Sequence, residues 1–370
     1  MKWRDHALGE MSGLASANRR RRVIDLDGRG VHGLLPDGLE VISFASNDYL
    51  GLSHHPTVIA AAHDALDRWG AGATSARLIV GSRPVHTELE QELAGWKSCE
   101  SALLFPSGFA TNYGVLTALG GPDVLICSDE RNHASIVDGC RASRGHVAVY
   151  PHNDLRALER LLSGSGRVIV VTDTVFSMDG DIAPVDDLAL LCARHEALLV
   201  LDEAHAVLGP DPDLNRIEAL RVGTLSKFLG CSGGFVTGPT PLIDLMLNRA
   251  RSGIFTTALA PADAAASLAA LRLFRSSEGD VLRARLRHNI DLLAPGHPAP
   301  MMSVIVGDER GALDAARVLL DEGFLVPAIR PPTVPPGTSR LRVTVSADHD
   351  EQDVVRLGRA LSALGIHAGV

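Results

Sequence analysis

The chain has 370 residues, 46% of them hydrophobic and 21% charged, with 36 glycines; this is a globular composition with room for two or three domains, and it excludes disordered, collagen-like and disulfide-scaffold classes. The formal charge of −9, from 35 basic against 44 acidic residues, argues against nucleic acid or an anionic membrane as a partner. No stretch approaches the roughly 20 uninterrupted apolar residues of a membrane span, the first residues lack a signal-peptide core, and the expected address is the cytoplasm.

Residues 1–45 read as a polar N-terminal segment, helical at first and then turn-rich around Asp27-Gly28 and Pro36-Asp37-Gly38, with the basic run Arg19-Arg20-Arg21-Arg22 between. From about 57 to 285, helical stretches alternate with short apolar runs at 101–105, 123–128, 146–150, 167–173, 197–202 and 233–237. Buried runs separated by helices predict an α/β domain on a mostly parallel sheet, assigned to 46–288. The link Ala294-Pro295-Gly296-His297-Pro298 marks a change of rhythm. Residues 289–370 are expected to form a smaller α+β domain, with strands at 301–306, 324–328 and 340–345 and helices at 309–322 and 350–364.

The five cysteines, Cys99, Cys127, Cys140, Cys192 and Cys231, form no CxxC pair, so neither a disulfide nor a metal site is expected. Asp202-Glu203-Ala204-His205 spells the acidic box of a nucleotide hydrolase. None of the three lysines, Lys2, Lys97 and Lys227, lies in the glycine-rich phosphate loop that such an enzyme needs. Gly230-Cys231-Ser232-Gly233-Gly234 fits the Gly-x-Ser-x-Gly pattern of a serine hydrolase, but a strand is expected after it where the nucleophile elbow requires a helix. Gly70-Ala71-Gly72-Ala73-Thr74-Ser75 lacks the last glycine of a dinucleotide fingerprint.

A further arrangement joins Asp202, at the end of an apolar run, to Lys227, 25 residues later in Gly223-Thr224-Leu225-Ser226-Lys227. A carboxylate ending a buried strand and a lysine in the next loop can meet at the carboxyl edge of a parallel sheet, where α/β proteins bind ligands. Pyridoxal phosphate requires such a pair: an amine to condense with its aldehyde and a carboxylate to keep its pyridine nitrogen protonated. Ser107-Gly108-Phe109-Ala110-Thr111-Asn112 opens a helix after the 101–105 run, where free amides favour an anion. His133, in Asp129-Glu130-Arg131-Asn132-His133-Ala134-Ser135, follows another strand end, where an imidazole can lie flat on a cofactor ring.

Five motifs occur in order: Asn47-Asp48-Tyr49-Leu50-Gly51-Leu52, Ser107-Gly108-Phe109-Ala110, Phe176-Ser177-Met178-Asp179-Gly180, Asp202-Glu203-Ala204-His205 and Thr224-Leu225-Ser226-Lys227. With them the chain resembles, over nearly its whole length, the α-oxoamine synthases, fold type I pyridoxal-phosphate enzymes that condense an amino acid with an acyl-CoA. The resemblance implies a catalytic set of Lys227, His133 and Asp202, with Lys227 holding the cofactor and then removing the substrate's α-proton. It implies Asp202 at the ring nitrogen, His205 at the phenolic oxygen, His133 stacked on the ring and Ser177 supporting either contact. Gly108, Phe109 and Thr224 would hold the phosphate, with Thr256 or Thr257 reaching over from the partner in a homodimer that shares its active sites.

Arg342 is expected at the amino-acid carboxylate, because a guanidinium matches a carboxylate with two parallel hydrogen bonds; Arg340 is the second choice. Asn47 and Arg21 are expected at the acyl substrate or the carboxylate. Ile329-Arg330-Pro331-Pro332-Thr333-Val334-Pro335, followed by Arg340-Leu341-Arg342, resembles the family member that joins L-alanine to pimeloyl-CoA or a pimeloyl carrier protein. Members taking other acyl-CoA donors are the alternative. Two departures from the family pattern stand out: Phe228 follows the lysine where a small residue is usual, and the stretch 206–223 is several residues short.

Overall fold

The structure is a computed structural model and describes residues 2–164, 166–214 and 216–365. The chain divides into two compact units, one made of residues up to 49, 178–180 and from 284 onward, the other of 50–177 and 181–283. In the first unit the exposed helix Lys2–Ser16 is followed by three short antiparallel strands, β1 (Asp27–Arg29), β2 (His32–Leu34) and β3 (Glu40–Ser43). Pro36-Asp37-Gly38 turns as expected, with positive φ at Gly38, whereas Asp27-Gly28 lies in β1 and the turn falls at Gly30. The strands themselves are three or four residues long, too short to show a period of two.

The second unit is built on a sheet of seven strands: β4 (Ser101–Phe105), β5 (Val124–Asp129), β6 (His146–Tyr150), β7 (Arg167–Asp173), β8 (Leu198–Asp202), β9 (Ala219–Thr224) and β10 (Gly234–Gly238). Their order is β4-β10-β9-β8-β7-β5-β6, and β10 alone runs antiparallel to its neighbours. Successive side chains go to opposite faces, and both faces are covered. Ile169, Val171 and Val200 join the core of Val115, Leu116 and Ile126, while Val168, Val170, Leu199 and Leu201 join that of Leu158, Leu188 and Cys192. Double burial is why the inner strands read as continuous apolar runs; β6, at the sheet edge, is largely exposed.

Strand β9 is the exception, and the sequence pattern does not reveal it, because Arg221 interrupts the run. The guanidinium is buried in a central strand, which requires compensation of its charge. Glu203 provides it through an Nε–Oε1 contact of 2.7 Å, together with an ion pair to Asp211.

Helix Ser277–Leu293 carries the chain back to the first unit. There β11 (Met301–Gly307), β12 (Phe324–Leu325), β13 (Ala328–Ile329) and β14 (Ser339–Thr344) alternate with the helices Glu309–Asp321 and Glu351–Ala363. The single strand expected at 324–328 is two strands in two sheets: β12 pairs parallel with β3, and β13 pairs antiparallel with β14. Pro327 lies at the break and has no N–H to continue a ladder. The N-terminal and C-terminal stretches thus share one core, which includes Phe44, Leu319, Phe324, Leu341, Val343 and Leu357. No helix among the described residues is long and apolar enough to cross a membrane.

His349 is buried beside that core. Its ring stacks on Phe44 at 3.9 Å between centroids, Nδ1 accepts the Ser346 N–H at 2.9 Å, and Nε2 lies 3.0 Å from the Ser43 carbonyl oxygen. Burial holds its pKa down to about 4, although the hydrogen bonds to Ser43 and Ser346 act the other way. In the unfolded chain the ring takes a proton near pH 6.5, so the unfolded state binds more protons as the pH falls from about 6.5 to 4, and stability drops across that window by an amount of order 3 kcal/mol. Urea unfolding at pH 7 and 4.5 should therefore show a smaller acid loss in His349→Gln than in the wild type. Equal losses would contradict the neutral, buried ring.

Candidate active site

Parallel pairing gathers the last residues of β5, β7, β8 and β9 at one edge of the seven-stranded sheet. Strand β4 ends at the same edge, since it and β9 both run antiparallel to β10. Those last residues are Asp129, Asp173, Asp202, Thr224 and Phe105, and the register sets Asp173 opposite Asp202 and Gly234 opposite both Phe105 and Thr224. In a sheet of this kind, ligands bind outside this edge.

Asp202 is buried there. Its Oδ2 accepts from Asn112 Nδ2 at 2.6 Å, and its Oδ1 accepts from the Ala204 N–H at 2.9 Å. Asn112, in the helix Gly108–Leu119, also donates to Ser135 Oγ at 2.9 Å, and Ser135 Oγ lies 2.7 Å from His133 Nδ1. Asp173 accepts the His133 N–H at 2.7 Å, and burial together with the neighbouring Asp202 charge pushes its carboxyl well above the usual carboxylate range. His133 remains open to solvent along one side. Withdrawal of the rest of its ring from water lowers its pKa most; Asp202 opposes this and the Lys227 ammonium adds to it.

Lys227 is half-buried, with Nζ 2.7 Å from Nε2 of the buried His205. The turn that carries it is closed by Gly230 N–H to Lys227 O at 2.8 Å, Cys231 N–H to Leu225 O at 2.8 Å and Leu225 N–H to Gly233 O at 3.0 Å. Thr224 Oγ1 adds a bond to Gly233 O at 3.0 Å and lies 2.8 Å from Ser226 Oγ. Gly230 has φ of +66°, and a Cβ there would come within 2.3 Å of the Ser53 backbone nitrogen, so the turn requires glycine. Phe228 is buried against Phe274 at 5.2 Å and edge-on to Trp96 at 6.1 Å. The unusual aromatic after the lysine therefore packs against rings carried by the helices Pro84–Trp96 and Pro261–Phe274. Of the other lysines, Lys97 is buried in an ion pair with Glu203 at 2.7 Å, and Lys2 belongs to the exposed helix of the other unit.

Ser107 caps the helix Gly108–Leu119 by accepting the Ala110 N–H at 3.1 Å. The N–H groups of Gly108 and Phe109 are among those that a helix leaves without internal partners. Strand β10 comes close to this turn because Gly234 has no side chain: a Cβ there would lie 2.6 Å from Gly108 N. Ser232 stands just before β10, so a strand follows it, and the hydrolase elbow is not formed. Thr256 and Thr257 follow the short helix Arg251–Ile254 and line a crevice that also includes Pro106. Ser177 sits in a hairpin closed by Phe176 N–H to Asp181 O at 3.0 Å.

The remaining expected residues lie in the first unit. Arg340 and Arg342 are both buried on β14; Arg340 forms an ion pair with Asp179, whereas Arg342 donates to Asn47 Oδ1 at 3.2 Å. Asn47 Oδ1 also accepts from the buried Tyr49 hydroxyl at 3.1 Å. Arg21 donates to Thr333 Oγ1 at 3.0 Å.

The family model for class I and II aminotransferases matches residues 40–361. The chain belongs to that family. An 8-amino-7-oxononanoate synthase of Geobacter sulfurreducens is 42% identical over 384 aligned residues that cover 98% of each chain. Another, of Marinobacter nauticus, is 47% identical over 350 residues, 89% of this chain and 88% of that one. A solved serine palmitoyltransferase from S. paucimobilis, with a bound PLP-myriocin aldimine, superposes with a TM-score of 0.89 at 28% identity and covers 98% of both chains. Within the aminotransferase family the chain falls in the α-oxoamine synthase group: it is a fold type I, acyl-transferring enzyme, and pyridoxal 5'-phosphate is its cofactor.

The sheet edge fits that cofactor. A half-buried amine next to a buried histidine shares that edge with a buried carboxylate that accepts hydrogen bonds, a helix opens there with amides its own ladder does not use, and among the described residues the buried Oδ1 of Asn112 has no hydrogen-bond partner. Sequence reading gives no role to Asp173, Asn112 or Ser135. The one signal available was that Asp173, like Asp202, is a carboxylate ending an apolar run.

Proposed function

We propose that the chain joins L-alanine to pimeloyl-CoA, or to a pimeloyl carrier protein, giving 8-amino-7-oxononanoate, carbon dioxide and the free thiol, the reaction that gives its relatives their name. The observation that carries this reading is the Lys227, His205 and Asp202 constellation in a chain aligned almost end to end with those synthases. Bound pyridoxal 5'-phosphate supplies an aldehyde that takes amines and a cationic ring that accepts the electron pair released at a neighbouring carbon.

Lys227 would hold the cofactor through Nζ and would also take the proton from alanine Cα. Asp202, hydrogen-bonded by Asn112, would hold the ring nitrogen; His133 would stack on the ring and His205 would bind the phenolic oxygen. The amides of Gly108 and Phe109 and the Thr224 hydroxyl would hold the phosphate. Arg342 takes the alanine carboxylate, a role for which Arg340 is less suited because Asp179 already engages it. Asn47 orients Arg342, and Arg21 contacts the acyl substrate. The cytoplasm is the proposed compartment.

We also propose a homodimer. Leu78, Ile79, Val80, Phe109 and Phe255 are large, apolar and exposed, and a second copy would cover them, with Thr256 or Thr257 reaching the partner's phosphate. Mixing Lys227→Ala chains with chains carrying Thr256→Val and Thr257→Val should restore activity above either parent; no gain after confirmed subunit exchange would remove the shared site.

Thiol release, followed across acyl-CoA chain lengths with alanine, glycine and serine, should give the highest kcat/KM for alanine with pimeloyl-CoA. In the same assay Arg342→Leu should raise the KM for alanine about 10- to 100-fold, the loss of one charge-assisted contact. A preference for acetyl- or long-chain acyl-CoA would instead make the chain an α-oxoamine synthase of another specificity.

A further inference from the structure

We propose that His152 is a positioning residue that fastens the hairpin bearing Ser177 to the turn bearing His133. It follows β6 by two residues, and its side chain is only 13% exposed. Nδ1 lies 3.0 Å from Asp129 Oδ1, Nε2 lies 2.5 Å from Asp181 Oδ2, and the ring meets Phe176 edge-on at 4.4 Å. One imidazole therefore touches both legs of the hairpin base and, on its other side, a carboxylate that belongs to a different loop.

Each of those two residues belongs to its own loop. Asp129 ends β5, is fully buried, and folds the following turn by accepting the Arg131 N–H at 2.8 Å; its other oxygen accepts the N–H of Asn153, next to His152, at 2.9 Å. Within that turn Asn132 accepts the Asp173 N–H at 3.0 Å and donates to Val171 O at 2.9 Å, which fixes the next residue, His133, over the sheet edge. Asp181 closes the hairpin from the far leg, its carbonyl accepting the Phe176 N–H one residue before Ser177. Loops that carry reacting groups must be held to within a fraction of an ångström to be useful. A histidine gripped at both nitrogens, with an aromatic ring against its face or edge, provides such a hold between two loops that share no strand pairing with each other.

The inference rests on the sheet edge being the cofactor site, and it concerns how that site is held rather than which acyl donor it takes. The test compares wild type, His152→Gln, Asp181→Asn and the double variant. Pyridoxal phosphate is titrated into each apo chain, the visible circular dichroism of the bound chromophore is recorded, and kcat and the KM for alanine are measured. Both single variants should melt cooperatively, alter the visible circular dichroism, and weaken cofactor affinity and kcat together by about 10- to 100-fold, with the KM for alanine nearly unchanged. The double variant should be no worse than the poorer single one, since both substitutions break the same link.

Unchanged affinity and circular dichroism in both singles, or losses that simply add in the double, would overturn the proposal. So would failure of both single variants to fold, which would make the link a requirement of the fold. Should only His152→Gln fail to fold, the half-exposed Asp181 still decides the matter. A wild-type chain that does not bind the cofactor would refute the site itself, a separate outcome.

Discussion

Two buried carboxylates, Asp173 and Asp202, end adjacent strands side by side, and the site is arranged around the negative charge they place at the sheet edge. Like charges this close favour keeping a proton on one of them. Burial and the neighbouring Asp202 charge raise the Asp173 carboxyl, while the Asp202 carboxylate accepts hydrogen bonds from two sides, from Asn112 and from the Ala204 amide. Asp173 instead spends its oxygen on the His133 backbone. The pair thus divides the work, one member held by Asn112 and the Ala204 amide and the other placing an imidazole.

The same edge explains the cation opposite. A lysine held 2.7 Å from a histidine nitrogen, on a turn that only glycine at 230 permits, is an amine in a defined place rather than a mobile surface group. Behind it, Glu203 joins Lys97 and Arg221 in a buried ionic cluster. Removing one partner of such a cluster leaves an uncompensated buried charge, so the acidic pair Asp202-Glu203 serves two purposes: its first residue faces the ligand edge and its second ties β8 to β9 and to the end of the helix Pro84–Trp96.

Much of this was legible in the sequence. Strands β4, β5, β7 and β8 stand out because burial on both faces leaves uninterrupted apolar runs, and Lys227 because lysine is scarce. The rest was hidden for physical reasons. Strand β9 contains Arg221, whose charge is cancelled by residues distant in sequence. The run at 324–328 reads as one strand, since Pro327 shows its effect only when its two sides join different sheets. The partnership of Asn112 with Asp202 crosses 90 residues, and no local pattern records it. Phe228 stands out in the sequence only as a departure from the family pattern, and its packing against Trp96 and Phe274 joins residues far apart in the chain.

The central claim is that Lys227 is the residue on which the cofactor sits. Borohydride reduction of the yellow holoenzyme, followed by peptide mapping, tests it most directly. The account predicts that the reduced cofactor is recovered on the peptide containing Lys227 and that Lys227→Ala captures none. Recovery on Lys97, or a protein that takes up no pyridoxal phosphate chromophore, would contradict it.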